Sequence, residues 1–233
     1  MQKHHIINYN KQSIQLLIKK NKLSKNYKLT FDKKNLRGLV SIPYYVSFKS
    51  GLEFANENIE WLYKEIKKVL PIVLIKHNSS LLILGKKMQI IFEEGNLNKI
   101  FVTKNNIIIK SYNDSHTKIL KKWFVNKILL YSKNYVDNVS KSLNLNVKAI
   151  KISNSFNYWG SCNSAGVIHL NWRLILAPTQ VLEYIIVHEL CHLKEFNHTQ
   201  NFWMLVKKFC PDYKNQILWL KKNDIYLYRI RLN

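Results

Sequence analysis

The sequence predicts an α+β fold, and three patterns indicate it. An almost wholly apolar stretch, residues 181–193, is typical of a helix buried in a core. Short apolar stretches separated by turn residues lie in the middle of the chain and predict β-hairpins. A long run with apolar residues at helical spacing predicts another helix between these regions. Strands grouped before helices suit an α+β fold.

The first half of the chain is predicted to hold one helix and two hairpins. The helix spans about 52–69, where apolar residues recur at helical spacing. The first hairpin pairs 81–84 with 88–92, and the second pairs 99–103 with 107–111. Each hairpin closes around a short turn of glycine, asparagine or lysine residues.

The second half is predicted to be mostly helical. Its elements, in order, are a long helix at about 115–143, a hairpin pairing 149–158 with 166–172, the apolar helix, helices at 200–209 and 212–223, and a short strand at 225–230. Pro178 suits the first turn of the apolar helix, and Thr199 can cap the helix that follows it. We predict a β-rich N-terminal part, residues 1–112, and a second part, residues 113–233.

The apolar helix carries the most informative motif of the chain, His188-Glu189-Leu190-Cys191-His192. A helix turns about 100° per residue, so histidines four positions apart lie about 40° apart on one face. Glu189 lies beside them. Two imidazoles and an adjacent carboxylate are what a catalytic zinc site requires, namely nitrogen ligands and a base next to the metal-bound water. The motif therefore predicts a metal-dependent hydrolase.

His198 is the predicted third ligand. On a continued helix it would point about 240° away from His192, so the chain must turn between Leu193 and Asn197. Asn197 is a good residue for ending a helix. Glu195 is the alternative third ligand, because it lies two helical turns after His188, but it reaches the metal only if the helix continues.

The run from Trp159 to Trp203 resembles the YgjP-like metallopeptidase family. It carries the motifs W-G-S-C, L-N-W-R-L-I-L-A-P, V-H-E-L-C-H-L, N-H and F-W. The family is similar in site layout to the SprT-type zinc proteases. The resemblance covers about 150–220, whereas earlier in the chain only Ile42-Pro43, Phe54 and Trp61 suggest the family's β-rich N-terminal part and its following helix.

The resemblance implies a zincin-like second part, in which the motif helix packs on a hairpin or small sheet. It also implies one catalytic Zn²⁺ bound by His188, His192 and His198, with Glu189 as the catalytic carboxylate and a peptide or protein as substrate. The metzincin class is excluded, because Glu195 stands where that class has a turn glycine. Met204 does not supply its methionine turn, since we expect it in the core of an amphipathic helix.

Glu189 is expected to take a proton from the zinc-bound water and return it to the leaving amine. Four residues remain open as stabilisers of the oxyanion: Tyr158, His169, Arg173 and Tyr213. Trp159, Gly160 and Ser161 are predicted to bind substrate as an edge strand, or else to form a tight strand end with Trp159 filling the core. Tyr158 and Arg173 are the other predicted substrate contacts.

Composition sets the wider expectations. The net charge is +23, but the 33 lysines are spread along the chain, so a solvated basic surface is favoured over specific binding of nucleic acid or nucleotide. No apolar run reaches the roughly 18 residues of a membrane span. With no signal-like start and three cysteines, we expect a cytoplasmic location without disulfides. Cys191 is expected to be a core thiol.

Two other functions stay open at this point. The same metal site could hydrolyse a phosphoanhydride, as in a nucleoside triphosphate pyrophosphohydrolase, although no phosphate-binding glycine loop is visible. Alternatively, the zinc could be structural, in a non-catalytic or nucleic-acid-associated module. A structural site is normally closed by four protein ligands, and Cys162 is the one candidate for the fourth.

Overall fold

The computed structural model describes residues 1–69, 71–113 and 115–232. The chain divides into two compact units, Met1–Ile72 and Val73–Asn233. Both units combine helices with small sheets, as expected for an α+β fold. Among the described residues, no helix combines the length and the apolar character that crossing a bilayer requires.

The predicted boundary at residue 112 lies inside the second unit. The two predicted hairpins share one hydrophobic core with the long helix and the motif helix, so the division falls before the hairpins. That residues 113–233 alone make up the catalytic part stays a prediction.

The first unit is a four-stranded sheet with two helices. Its elements are β1 (Gln2–Tyr9), β2 (Gln12–Asn21), β3 (Lys28–Asp32), β4 (Arg37–Pro43), α1 (Phe48–Glu57) and α2 (Ile59–Val69). The strand order is β1-β2-β4-β3, with β2 and β4 parallel and the outer pairs antiparallel. Apolar residues of β2, β4, α1 and α2 form its core. The β-rich start of the predicted fold is therefore confirmed.

The single helix predicted at 52–69 is wrong, because two helices meet at Asn58. The hydroxyl of Ser47 accepts a hydrogen bond from the Ser50 amide and starts α1 before the predicted position. The Asn58 side-chain amide donates to the Phe54 carbonyl at 2.8 Å, and this bond ends α1. A side chain that competes for backbone partners commonly ends a helix in this way.

The second unit begins with β5 (Val73–Leu74) and a four-stranded sheet. That sheet consists of β6 (Ser79–Ile83), β7 (Lys86–Glu94), β8 (Lys99–Val102) and β9 (Asn106–Ser111), in the order β6-β7-β9-β8. Both predicted hairpins are confirmed, since β6–β7 and β8–β9 pair antiparallel. Parallel pairing of β7 with β9 joins the two hairpins.

The predicted long helix is α3 (His116–Leu143). It ends at Asn144, which adopts a left-handed conformation with φ 51° and ψ 51°. Asparagine tolerates this conformation better than most residues, so it is well suited to follow a helix. The buried face of α3 contacts the sheet strands β8 and β9 and the C-terminal half of the unit.

A three-stranded sheet follows, formed by β10 (Ala149–Ser153), β11 (Gly160–Cys162) and β12 (Val167–Asn171). Its order is β10-β12-β11. The predicted hairpin between 149–158 and 166–172 is wrong, because β10 runs parallel to β12 and the hairpin partner is β11.

The loop before β11 explains this topology. The side-chain amide of Asn171 donates to the carbonyls of Ser155 and Tyr158, at 2.7 and 3.2 Å. These bonds hold the loop at the end of β12, so the chain crosses over β12 before it re-enters the sheet as β11. The predicted turn at 163–166 then joins β11 to β12, with the Gly166 amide donating to the Asn163 carbonyl.

Helices close the unit: a 3-10 helix (Trp172–Leu176), α4 (Thr179–Cys191), α5 (Gln200–Phe209) and α6 (Tyr213–Arg229), followed by β13 (Ile230–Arg231), which pairs parallel with β5. The predicted end of the last helix at residue 223 and the strand at 225–230 are wrong. The helix continues because Leu220 and Leu227, seven residues and two turns apart, are both buried on one face.

Met204 is not in the core, contrary to expectation, since 56% of it is exposed. Phe202 and Val206 form the buried face of α5, and Met204 lies two residues from each, on the opposite side. The predicted bounds of α5 and its cap are confirmed, because the Thr199 hydroxyl accepts a hydrogen bond from the Phe202 amide.

Phe124 tests the shared core of the second unit. Its ring is fully buried on α3 and stacks on Trp172 at a centroid distance of 6.1 Å. Phe124→Ala should lower the free energy of unfolding by about 3–5 kcal/mol, because it leaves a cavity. Urea denaturation measures this loss. Leu130→Ala, on the same helix but 62% exposed, is the control and should change it by less than about 0.5 kcal/mol. Equal losses would contradict the packing described.

Candidate metal centre

Three imidazoles converge at the C-terminal end of α4. The ligating nitrogens of His188, His192 and His198 all lie within 4.8 Å of one another, and Nε2 of His188 is 3.1 Å from Nε2 of His198. Among the described residues, this group contains no fourth histidine, cysteine or carboxylate ligand atom. The three histidines could therefore hold one metal ion and leave a position free.

The predicted turn brings His198 into the group. The helix ends as Glu195 donates its amide hydrogen to the Cys191 carbonyl, and Thr199 donates to the Asn197 carbonyl at 2.7 Å. The chain then enters α5, whose Phe202 ring lies 4.7–5.0 Å from all three imidazole rings. The predicted turn between Leu193 and Asn197 is confirmed.

The other ring nitrogens have partners of their own. Nδ1 of His192 donates to the Glu195 carbonyl at 3.3 Å, which leaves its Nε2 lone pair free for the centre. The Tyr184 hydroxyl lies 3.4 Å from Nδ1 of His188. Glu195 thus contributes its backbone carbonyl, and its carboxylate is not among the grouped ligand atoms. Such outer contacts orient metal-binding histidines.

Burial favours the uncharged form of two of the imidazoles. Burial, followed by the neighbouring His192 and His198, lowers the pKa of His188 to about 4. Burial also lowers the pKa of His192. Because a lowered pKa favours the deprotonated base, both rings are neutral at pH 7 and present lone pairs to a metal.

Glu189 lies under the edge of the small sheet, and only 5% of it is exposed. Burial raises the pKa of its carboxyl to about 7. Gly160 of β11 approaches it so closely that a Cβ at this position would stand 2.5 Å from Oε1 of Glu189. No side chain fits at that distance, so a glycine is required if the strand is to pass over the carboxylate.

Two cavities meet beside Gly160, His188 and Glu189. The first, of about 330 Å³, extends toward α6, and its other lining residues are Trp159, Tyr184, Ile185, Ile217, Leu220, Lys221 and Asp224. The second, of about 390 Å³, extends toward the turn after β11, and its other lining residues are Ser161, Cys162, Asn163, Ser164, His192 and Phe196. His188 and Glu189 line both cavities and thus lie at the middle of a cleft along β11, whereas His192 lines the second cavity only.

The family model for the YgjP-like metallopeptidase domain matches residues 25–223. The chain belongs to the YgjP-like metallopeptidase family. Metallopeptidases are metal-dependent hydrolases, and a peptide or protein is the class of substrate that the family indicates.

Two further comparisons add little to this assignment. A search of curated proteins finds no match. The crystal structure of the metallopeptidase zymogen of Pyrococcus abyssi abylysin is similar at 20% identity and a TM-score of 0.34, over 39% of this chain and 93% of that one. The membership of the chain therefore rests on the family model.

The structure brings some predicted substrate contacts to the cleft. Trp159, Gly160 and Ser161 line it, and the Trp159 ring stacks on Tyr228 at 4.6 Å. Tyr158 is half-exposed and lines neither of the two cavities. His169 pairs with Ser161 in the sheet and lines neither cavity either.

Arg173 does not reach the cleft. Only 2% of it is exposed, and its guanidinium lies 4.2 Å from the Phe156 ring centroid and 4.7 Å from that of Trp172. Its Nη1 donates to Oδ1 of Asn154 at 2.9 Å. Arg173 is a predicted substrate contact and one of the four candidate oxyanion stabilisers, but these rings hold its side chain in the core. Tyr213 likewise packs on the Trp203 ring, at 5.2 Å.

The cysteines remain apart from the metal group. Cys162 lines the second cavity, and burial, followed by the nearby Glu189, raises the pKa of its thiol to about 11. The thiol is therefore protonated at pH 7 and is a poor metal ligand. Cys191 is fully buried, so its assignment as a core thiol is confirmed.

Some residues that line the cleft were not predicted from the sequence, namely Tyr184 of α4 and the residues of α6. Tyr184 precedes His188 by one helical turn, and this spacing could have identified it as a neighbour of the imidazole. The residues of α6 gave no local signal, because only the tertiary packing of α6 on α4 brings them to the cavity.

His198→Ala tests the composition of the metal centre. Removing one of three imidazoles should weaken Zn²⁺ binding by at least about 100-fold, whereas the two remaining histidines keep residual affinity. Competition with a chromophoric chelator measures the affinity. His169→Ala is the control, since His169 lies on β12 outside the group. Unchanged affinity in His198→Ala would instead favour Glu195 as third ligand.

Proposed function

We propose that the protein is a zinc peptidase in which Glu189 acts as the general base. The observation that carries this proposal is the group of three imidazoles, of which His188 and His192 line the same cleft as the buried carboxylate of Glu189. His188, His192 and His198 would hold the ion. No cysteine or carboxylate closes the group among the described residues, which is the arrangement of catalytic rather than structural zinc sites.

The spacing of two of the three ligand nitrogens suits zinc. Zinc–nitrogen bonds of 2.0–2.1 Å at tetrahedral angles put two ligand nitrogens about 3.3 Å apart. The Nε2 atoms of His188 and His198 are 3.1 Å apart. The His188 ring is held by the Tyr184 hydroxyl near its Nδ1, and the His198 ring is held by stacking on Trp203. When bound, zinc supplies a Lewis acid that polarises the substrate carbonyl and acidifies a water molecule.

Glu189 is the only carboxylate among the described residues that line both cavities. Its place next to His188 lets it accept the proton of the attacking water and deliver it to the leaving amine. The close approach of Gly160 restricts the carboxylate to one side, facing the cleft. The protein thus supplies the base and holds it in one orientation.

The outer strand β11 provides a surface for an extended peptide. One edge of β11 pairs with β12, and no other strand pairs with it among the described residues. Gly160, Ser161 and Cys162 line the cleft, so the second edge of β11 is open there. A peptide that added to this edge would make backbone hydrogen bonds next to Glu189.

Phosphoanhydride hydrolysis fits the cleft less well. Among the described residues lining the two cavities, Lys221 is the only lysine or arginine. A triphosphate needs several cationic or backbone amide contacts, and the cleft walls are mainly aliphatic, aromatic or small polar side chains. Nothing in the comparisons supports a nucleic-acid partner. Phosphoanhydride hydrolysis and a non-catalytic, nucleic-acid-associated module therefore both stay hypotheses.

Glu189→Gln should retain zinc and lose turnover. The amide has the shape of the carboxylate but cannot accept the proton, and removing a general base costs about 100-fold or more. Peptide hydrolysis and zinc content, measured on the same sample, separate the two effects. Glu94→Gln is the control, since Glu94 is exposed and lies in neither cavity. Full turnover by Glu189→Gln would refute the proposed role of Glu189.

Gly160→Ala tests the close approach of β11 to the base. The added methyl group would meet Oε1, Cγ and Cδ of Glu189 within 2.8 Å and displace the carboxylate. We expect turnover to fall by about 10-fold or more with zinc content unchanged, because a displaced carboxylate is poorly positioned to accept the proton of the attacking water. Gly95→Ala is the control, as its Cβ would meet only Lys110, at 3.2 Å. Wild-type turnover in Gly160→Ala would contradict this geometry.

A further inference from the structure

We propose that the first cavity selects an aliphatic side chain on the substrate residue whose amine is released by cleavage. We call this cavity the aliphatic pocket and define it by Ile185, Ile217 and Leu220, together with Trp159. The inference rests on the proposed peptidase function and names the substrate class within it.

The walls of the aliphatic pocket suit an apolar guest. Ile185 projects from α4 one turn before Glu189, and Ile217 and Leu220 come from α6. Ile185 and Leu220 are buried, so their apolar atoms that face the pocket are largely shielded from solvent. Trp159 is fixed as a wall, since its ring stacks on Tyr228 at 4.6 Å. Burying an aliphatic side chain here removes apolar surface of both partners from water.

Two residues of opposite charge also line the pocket, Lys221, which is exposed, and Asp224, which is half-buried. A charged substrate side chain that extended past them would leave its charge among Ile185, Ile217 and Leu220. Transfer of a charge to such surroundings is costly without a partner, so the pocket discriminates against it.

The second cavity has a different chemistry, and the site is therefore asymmetric. Ser161 of β11 and two residues of the turn that follows it, Asn163 and Ser164, line it with small polar side chains, and Phe196 is its one large apolar lining residue. We call it the polar cavity. An aliphatic side chain gains less there, because hydrated hydroxyl and amide groups would lose water without receiving hydrogen bonds.

The direction of β11 assigns the two sides of the cleaved bond. The strand runs from Gly160, next to the aliphatic pocket, to Cys162 and the turn of the polar cavity. An antiparallel peptide runs the other way, from the polar cavity to the aliphatic pocket. Antiparallel pairing is slightly more stable per residue than parallel pairing. The residue that follows the cleaved bond therefore places its side chain in the aliphatic pocket.

Cleavage of a peptide mixture by the zinc-loaded protein tests the pocket, with the cut positions read by mass spectrometry. We expect leucine, isoleucine, valine or methionine after the cut, about 10-fold enriched over aspartate or lysine. Ile217→Asp should abolish this enrichment and favour lysine or arginine there. Leu218→Asp is the matched control, since Leu218 is the next residue of α6, is 62% exposed and does not line the pocket.

A binding measurement separates this inference from the proposed function. Calorimetry of zinc-loaded Glu189→Gln should give about 10-fold tighter binding of a leucine-containing peptide than of its aspartate analogue. Loss of this difference in Ile217→Asp, but not in Leu218→Asp, would support the aliphatic pocket even if no peptide is cleaved. Absence of cleavage would then reject the proposed peptidase function but not the pocket. If Ile217→Asp does not fold, Ile217→Ala should instead admit phenylalanine, because it enlarges the pocket.

Three results would overturn the inference. The first is cleavage without preference after the cut, and the second is an aliphatic preference before the cut instead. The third is an equal change in Ile217→Asp and Leu218→Asp, which would mean that the effect is not local to the pocket.

Discussion

The site depends on the reversal of the chain after α4. Two histidines of one helix can contact the same ion, but a third imidazole must come from elsewhere, and the turn at 193–198 supplies it. The Glu195 carbonyl that forms part of this turn also accepts the Nδ1 hydrogen of His192. The same short segment therefore ends the helix, orients one imidazole and delivers His198 to within 3.1 Å of His188.

The hydrophobic core around α4 determines the electrostatics of the site. Helices α3, α5 and α6 and the strands β11 and β12 all contact α4, so its polar residues sit in apolar surroundings. Burial lowers the pKa of His188 and raises the pKa of Glu189, which favours the neutral form of both groups. A cation bound to the imidazoles would oppose this effect on Glu189, because positive charge favours the carboxylate. Packing thus prepares the site for a metal.

The features that were predicted correctly from the sequence are those determined by interactions between residues only a few positions apart. The spacing of His188 and His192, the Thr199 cap and the two hairpins depend on local geometry, and each was predicted with nearly the observed bounds. Parallel pairing of β10 with β12 was not predicted, since it depends on Asn171 holding a loop more than ten residues away. Arg173 shows the same limit, because only its tertiary neighbours Phe156 and Trp172 reveal that it is a core residue.

Gly160 shows why the cleft could not be built by α4 alone. A helix offers no unpaired backbone edge to a peptide, because its amides and carbonyls bond to one another. Under the proposed function, β11 supplies that edge as a short outer strand beside the helix, and the strand can lie close to Glu189 only where it lacks a side chain. A glycine in a strand weakens the strand, so this position gives up local stability for proximity to the carboxylate of Glu189, the proposed base. The stack of Trp159 on Tyr228 offsets that weakness by holding the strand from the preceding residue.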